Sequence, residues 1–164
     1  MKANTGMIIR ELKANEYFFL REMLYQAIFL ADENTVLPRD IIEQADLKRY
    51  IQDFGKDGDF CLVAEECGQL VGAIWIRYMY AYGFVDSETP ELSMAVLKAH
   101  RGKGIGNQLL TRMIHELTNS QIKQISLSVD KDNFAHRLYK RHQFVDYRIS
   151  EKSIIMTREL IDKQ

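Results

Sequence analysis

The residues that mark specialised classes of protein are scarce in this chain. Among 164 residues there are only two cysteines, Cys61 and Cys67, too few for a disulfide framework. Five residues separate them and no histidine stands at a metal-ligand offset, so they read as reduced packing residues. No apolar run approaches the ~20 residues of a membrane span, and the N-terminus does not have the charged, apolar and small-residue order of a signal peptide. Charge of one sign is missing too: 22 Lys and Arg against 23 Asp and Glu leave a net charge of −1. No electrostatic stripe therefore advertises a nucleic-acid or membrane partner. Internal repeats, low-complexity tracts and a second domain are likewise missing. These absences predict a cytoplasmic protein that binds neither nucleic acid nor membrane. What is present is 46% apolar residues, suited to one domain over residues 1–164 that buries roughly 70% of its unfolded surface.

The pattern of those residues predicts helices interleaved with a mostly antiparallel sheet. "MIIREL" reads as a first strand, and "NEYFFLREMLYQAIFLAD" has apolar residues at helical spacing. "DIIE", Asp40 to Glu43, has the form of a capping box opening a second helix that runs to about Phe54. "FCLVAEECGQLVGAIWIRYMY" reads as a hairpin turned at Cys67-Gly68-Gln69, and "ELSMAV" as a fourth strand. A third helix carries Leu109, Leu110, Met113, Ile114 and Leu117 on one face; it leads to a fifth strand, "KQISLSV", parallel to the fourth. A short helix, "DNFAHRLYKRH", capped by Asp132 or Asn133, precedes two last strands, "FVDYRI" and "SIIMTREL".

The stretch with the most chemistry is "HRGKGIGNQLL", His100 to Leu110, at the mouth of the third helix. A helix start offers unpaired N–H groups and partial positive charge, and glycine removes the Cβ that would hold an anion away. At Gly102, Gly104 and Gly106 the backbone can wrap a pyrophosphate, with Arg101 and Lys103 adding attraction. A Walker loop is excluded, since no Lys-Ser or Lys-Thr pair follows. The dinucleotide fingerprint G-x-G-x-x-G fails as well: its third glycine would be Asn107 or Leu109. What remains is R-x-x-G-x-G, Arg101 to Gly106.

With "LSMAV" before that loop, "SLSVDKDNFAHRLYKRHQF" after it and "DFCLVAEECGQLVGAIWIR" upstream, the chain from Ile8 to Leu160 resembles the GCN5-related N-acetyltransferase superfamily, whose pyrophosphate loop reads Q/R-x-x-G-x-G/A. The resemblance covers bacterial stand-alone members in particular. It implies an α/β (α+β) fold with a mixed, mostly antiparallel seven-stranded sheet, about four helices, and a splay between strands four and five. It also implies acetyl-coenzyme A (acetyl-CoA) as cosubstrate, no metal, and transfer of an acetyl group to a primary amine of a small molecule or peptide by direct attack.

Site residues follow from the same resemblance. The main chain of Met94 and Val96 would pair with the pantetheine arm, and Arg101, Gly102, Lys103, Gly104, Ile105 and Gly106 would cradle the pyrophosphate. Asn133 would hydrogen-bond near the pantetheine, although helix capping also accounts for it. Tyr139 matches the family tyrosine that faces the thioester sulfur; it also fits the apolar face beside Leu138 and Phe134. His136, Arg137, Lys140 and Arg141 could approach the phosphates or simply face water. For the base that deprotonates the amine, Glu91 shares a face with Ser93, though counting from Arg101 puts the family's best-known glutamate on Pro90. Asp86, Glu88 and a water chain stay open beside it. Tyr78, Tyr80 and Tyr82, at the parity of Ile76, are open to two readings, packing in a core, the commoner use of an aromatic strand, and lining of an acceptor pocket; Asp32, Glu33, Asp86 and Glu88 would favour a cationic amine. A coenzyme-binding sensor without turnover and a nucleotide-binding protein are the alternatives. An exposed edge at the C-terminal strands makes a homodimer reasonable.

Overall fold

The computed structural model describes residues 6–28 and 35–160. Seven strands form one sheet: β1 (Ile8–Glu11), β2 (Phe60–Glu66), β3 (Gln69–Arg77), β4 (Glu91–Val96), β5 (Gln124–Asp130), β6 (Val145–Ile149) and β7 (Ser153–Glu159). Their order is β1-β2-β3-β4-β5-β7-β6. Every neighbouring pair is antiparallel except β4 and β5. The β2–β3 turn places Cys67 at φ 53° and Gly68 at φ 78°, two left-handed residues whose twist matches that of the strands they join.

Period-two alternation sends side chains to two faces of this sheet. Leu62, Ala64, Ile74, Ile76 and Leu92 pack under helix α3 (Ile105–Thr118), which buries Ile105, Leu109, Leu110, Met113, Ile114 and Leu117 along one stripe. Each such side chain contributes about 1.5–3 kcal/mol by leaving water. Cys61, Val63, Ala73 and Trp75 face the other way, onto Leu20 and Met23 of helix α1 (Phe19–Ala27). Two short helices complete the fold, α2 (Ala45–Lys48) and α4 (Ala135–Arg141).

The expected helix from Asp40 to Phe54 is broken into three pieces: a 3-10 turn at Arg39–Glu43, α2, and turns up to Asp53, which sits at φ 53°. Its backbone acceptors are taken by β3. Trp75 Nε1 donates to the Tyr50 carbonyl at 3.0 Å and Arg77 Nη1 to the Arg49 carbonyl at 2.9 Å. A continuous helix would need those carbonyls for its next turn. The Asp40–Glu43 capping box is not formed either: Pro38 precedes the turn without a side-chain cap, and Glu43 pairs instead with Arg21 and Lys48.

The single β4–β5 register pair is Glu91 with Ser126, where the Ser126 N–H donates to the Pro90 carbonyl at 3.1 Å. Beyond it the two strands part, and the opening between them is the start of the principal cleft.

Candidate active site

The cleft has a volume of about 1020 Å³, and α1, β4, the glycine loop, the end of β5 and α4 all contribute to its walls. Just past the end of β4 the Leu97 N–H donates to the Val71 carbonyl of β3 at 2.8 Å. Alternation along an antiparallel strand then turns the N–H and C=O of Met94 and Val96 away from β3, toward the parted edge. Arg101 folds back over that edge, donating from Nε to the Val96 carbonyl at 2.9 Å and from Nη2 to the carbonyl and side chain of Gln26 at 3.2 Å.

Gly102 and Gly104 lie at φ 80° and 83°, a conformation that costs other residues roughly 1–2 kcal/mol. A Cβ added at either would meet nothing within 4 Å, so glycine is required there by the turn, and the loop stays bare on its outer side. Gly104 is the residue before α3, and the first intrahelical bond is Gln108 N–H to the Gly104 carbonyl at 3.1 Å. The N–H groups of Ile105, Gly106 and Asn107 have no partner within the helix. At Gly106 a Cβ would touch Met94 Cε at 3.4 Å, so the helix start packs directly on β4.

Lys103 departs from expectation: its ammonium points toward Glu66 at 3.9 Å, and its side chain is outside the cleft lining. Cationic side chains that do reach the cleft are Lys98, Arg101, Arg141 and Lys152, with His100 beside them. His100 Nδ1 is buried without a hydrogen-bond partner among the described residues, its nearest carboxylate being Glu66 at 3.7 Å.

Glu91 begins β4 and is 2% exposed. Its Oε2 accepts the Tyr50 hydroxyl at 2.5 Å and its Oε1 the Gly83 N–H at 2.9 Å. Burial pushes its carboxyl up to about 7, against the opposing pull of those two donors. Burial and the neighbouring Glu91 charge raise the Tyr50 phenol far above its ordinary value, so it stays a proton donor. The backbone holding this pair is itself pinned: Tyr82 N–H donates to the Tyr50 oxygen at 3.2 Å, and Ser126 Oγ to the Gly83 carbonyl at 2.7 Å. There is no room for a side chain at Gly83, where a Cβ would fall 2.7 Å from Glu91 Cδ. Tyr50 was not visible from sequence, because it stands at the end of an expected helix with no motif around it.

Tyr139, on α4, lies in the same cleft and packs its ring against Phe144 at 5.5 Å between centroids. Burial lifts its phenol to about 12. Asn133 lines the cleft while its Oδ1 accepts the Ala135 N–H at 2.9 Å, so it does cap the turn into α4. Of the four basic residues on this helix only Arg141 lines the cleft. His136 and Lys140 pair with Asp146 at 3.0 and 3.7 Å, and Arg137 lies over the Phe134 ring.

The expected aromatic stripe is not a strand face, because β3 ends at Arg77. Tyr82 lines the cleft, whereas Tyr80 stacks on Phe84 at 4.0 Å and Tyr78 covers Gly58. Asp86 is turned into its own loop, accepting from the Glu88 N–H at 2.9 Å and Thr89 Oγ1 at 2.8 Å, and neither Asp86 nor Glu88 lines the cleft. Asp32 and Glu33 lie outside the described residues.

The fold that carries this cleft is shared with known structures. The structure is similar to the yncA protein of Salmonella typhimurium, solved with its cofactor acetyl-CoA, with a TM-score of 0.68 and 22% identity over 97% of this chain and 96% of that one. It is similar also to the ribosomal-protein-S18-alanine N-acetyltransferase of Escherichia coli, with a TM-score of 0.68 and 16% identity over 97% of both chains. In sequence, the acetyltransferase SG1711 of Sodalis glossinidius is 28% identical over 108 residues, which are 66% of this chain and 70% of that protein. A model of the acetyltransferase (GNAT) family matches residues 21–144, from α1 through the strands that part to the end of α4. That match takes in most of the chain and nearly every element that walls the cleft, and the chain belongs to this acetyltransferase family.

Proposed function

We propose that the protein transfers the acetyl group of acetyl-CoA to a primary amine of a small molecule or peptide by direct attack. The observation that carries this reading is one cleft holding a bare glycine loop, an unpaired strand edge, a buried carboxyl titrating near 7 and a protonated tyrosine. Acetyl-CoA supplies an activated thioester, and the residues present fit it. The free N–H groups at the start of α3, with Arg101, Lys98 and Arg141, suit a pyrophosphate. The outward peptide groups of Met94 and Val96 suit an amide-bearing arm, which Arg101 would have to release from Val96. Asn133, which lines the same cleft, would stand beside that arm.

Glu91 is the base in this reading. A carboxylate whose pKa lies near 7 accepts a proton from an ammonium while staying substantially ionised at neutral pH, which is where general bases work best. Tyr139 is the acid: its phenol keeps the proton that the departing thiolate needs. Calorimetric titration with acetyl-CoA, followed by mass spectrometry of an amine panel incubated with enzyme and acetyl-CoA, tests the reading. Binding accompanied by a 42 Da gain on an amine, roughly the mass of one acetyl group, is expected. Binding with no acetylated amine would favour a sensor; no binding would remove both. The free β6 edge extends the proposal to a homodimer.

A further inference from the structure

The part of the cleft wall built by α1, residues 36–37 and α2 differs in chemistry from the part around the glycine loop. It presents Leu24, Ile28, Val36, Leu37 and Leu47. Val36 is 84% exposed, a large apolar side chain left open to the cleft mouth. Three tyrosines stand among these residues, and each hydroxyl is already committed. Tyr25 donates to the Leu37 carbonyl at 2.6 Å, Tyr50 to Glu91 at 2.5 Å, and Tyr82 to Asp46. The Gln26 carboxamide is engaged at both ends, by Glu22 and by Arg101. Among the described residues that line this wall Glu91 is the only acid; the other charges that touch it are already paired, Asp46 with the Tyr82 hydroxyl, Arg101 with Gln26 and the Val96 carbonyl, and Arg39, over the Tyr25 ring, with Glu22.

Such a wall discriminates by what it leaves unpaired. An aminosugar would set several hydroxyls against carbon, and a polyamine would set a second ammonium there; each unpaired polar group costs on the order of 1–3 kcal/mol, and a charge costs more. An apolar skeleton meets no such penalty, and each buried methylene contributes about 0.8 kcal/mol. We infer that the acceptor is a primary monoamine on an apolar or aromatic skeleton, its nitrogen anchored at Glu91 and its carbon frame lying along α1, Val36–Leu37 and α2. This inference builds on the acetyl-transfer reading, but its binding component is measurable without turnover.

The experiment is calorimetry of amines against the full-length protein saturated with coenzyme A, alongside acetylation followed by mass spectrometry. The probes are ethylamine to hexylamine, 2-phenylethylamine, a dipeptide with N-terminal phenylalanine, spermidine and glucosamine. Affinity is expected to climb roughly 2- to 4-fold per methylene, the upper figure being 0.8 kcal/mol converted to a ratio. Hexylamine or 2-phenylethylamine should exceed spermidine and glucosamine at least about tenfold. The ratio of 2-phenylethylamine to the dipeptide separates a free amine from a peptide N-terminus. Val36→Asp, at a position too exposed to unsettle folding, should flatten the series. A flat series in the natural protein, tighter spermidine or glucosamine, or no amine binding overturns the inference. Apolar amines that bind in this order without any acetylated product would leave the inference standing and remove the transferase reading. Product from spermidine or glucosamine alone would do the reverse.

Discussion

At the scale of single residues the chemistry rests on where protons sit. Glu91 is raised to about 7 by burial, so its carboxylate fraction grows as pH climbs through neutrality. The rate kcat/KM is therefore expected to rise with pH on an acidic limb near 7, and Glu91→Gln should abolish the limb along with most of the activity. Tyr50 donates to Glu91 and so favours the ionised form. Tyr50→Phe should move the limb to higher pH, a shift that a merely structural role for Tyr50 would not produce. Stability runs the opposite way. A carboxyl whose folded pKa exceeds its unfolded one makes the native chain bind more protons, so stability falls as pH climbs from the usual carboxyl range through 7. Thermal melts across pH 4 to 8 should show that fall in the natural protein and a flatter profile in Glu91→Gln. Tyr139→Phe removes only a hydroxyl and keeps the ring packed on Phe144, so melting should hardly change while kcat at saturating substrate drops about 10²-fold. Unchanged turnover would take the acid role away from Tyr139.

Elements differ in how far their own sequence decides them. α3 was legible because its six-point apolar stripe is a local signal that the sheet reinforces, and β4, with Val96 its one strongly β-favouring residue, was legible from its place just before the glycine loop. The segment 40–54 was not, because Trp75 and Arg77, more than twenty residues away, claim the carbonyls a helix would use. The same distance hid half of the site. The glycine loop spells out its left-handed turns, while the Tyr50–Glu91 contact joins residues 41 apart that no spacing rule connects. The anchor of segment 40–54 can be tested. Arg77 and Asp59 form a two-pronged pair at 3.1 Å, with side chains 5% and 3% exposed, and Asp59 also caps the Gly55 and Lys56 N–H groups. Asp59→Ala strands a buried guanidinium, and chemical denaturation should report a loss of about 3–5 kcal/mol. Asp59→Asn keeps two backbone N–H bonds and should cost less. Equal, small losses for both variants would mean that the pair does not hold the segment.

For the whole molecule, the sheet is open, with β1 at one edge and β6 at the other. At the β6 edge all five residues are exposed, and Val145, Tyr147 and Ile149 put apolar side chains into water at 60%, 49% and 61% exposure. An edge of this kind usually carries a device against pairing. Here there is a bulge between Asp146 and Arg148, yet the sequence Val-Asp-Tyr-Arg-Ile is self-complementary. Antiparallel pairing of two copies about Tyr147 would oppose Asp146 to Arg148 of the partner subunit and Val145 to Ile149 of the partner subunit. Asp146 already holds His136 and Lys140 of α4, the helix that carries Tyr139, and Lys152 and Ser153 of the adjoining turn line the cleft. A dimer formed there would brace the wall of the cleft that α4 builds. Light scattering of the natural protein is accordingly expected to give twice the mass of one chain. Arg148→Asp opposes acid to acid across the two-fold without touching the core, and it should yield monomers that still bind acetyl-CoA. If the natural protein is monomeric at the concentrations used for assay, the β6 edge is simply solvated, and α4 is held by its own contacts with Phe144 and Asp146 alone.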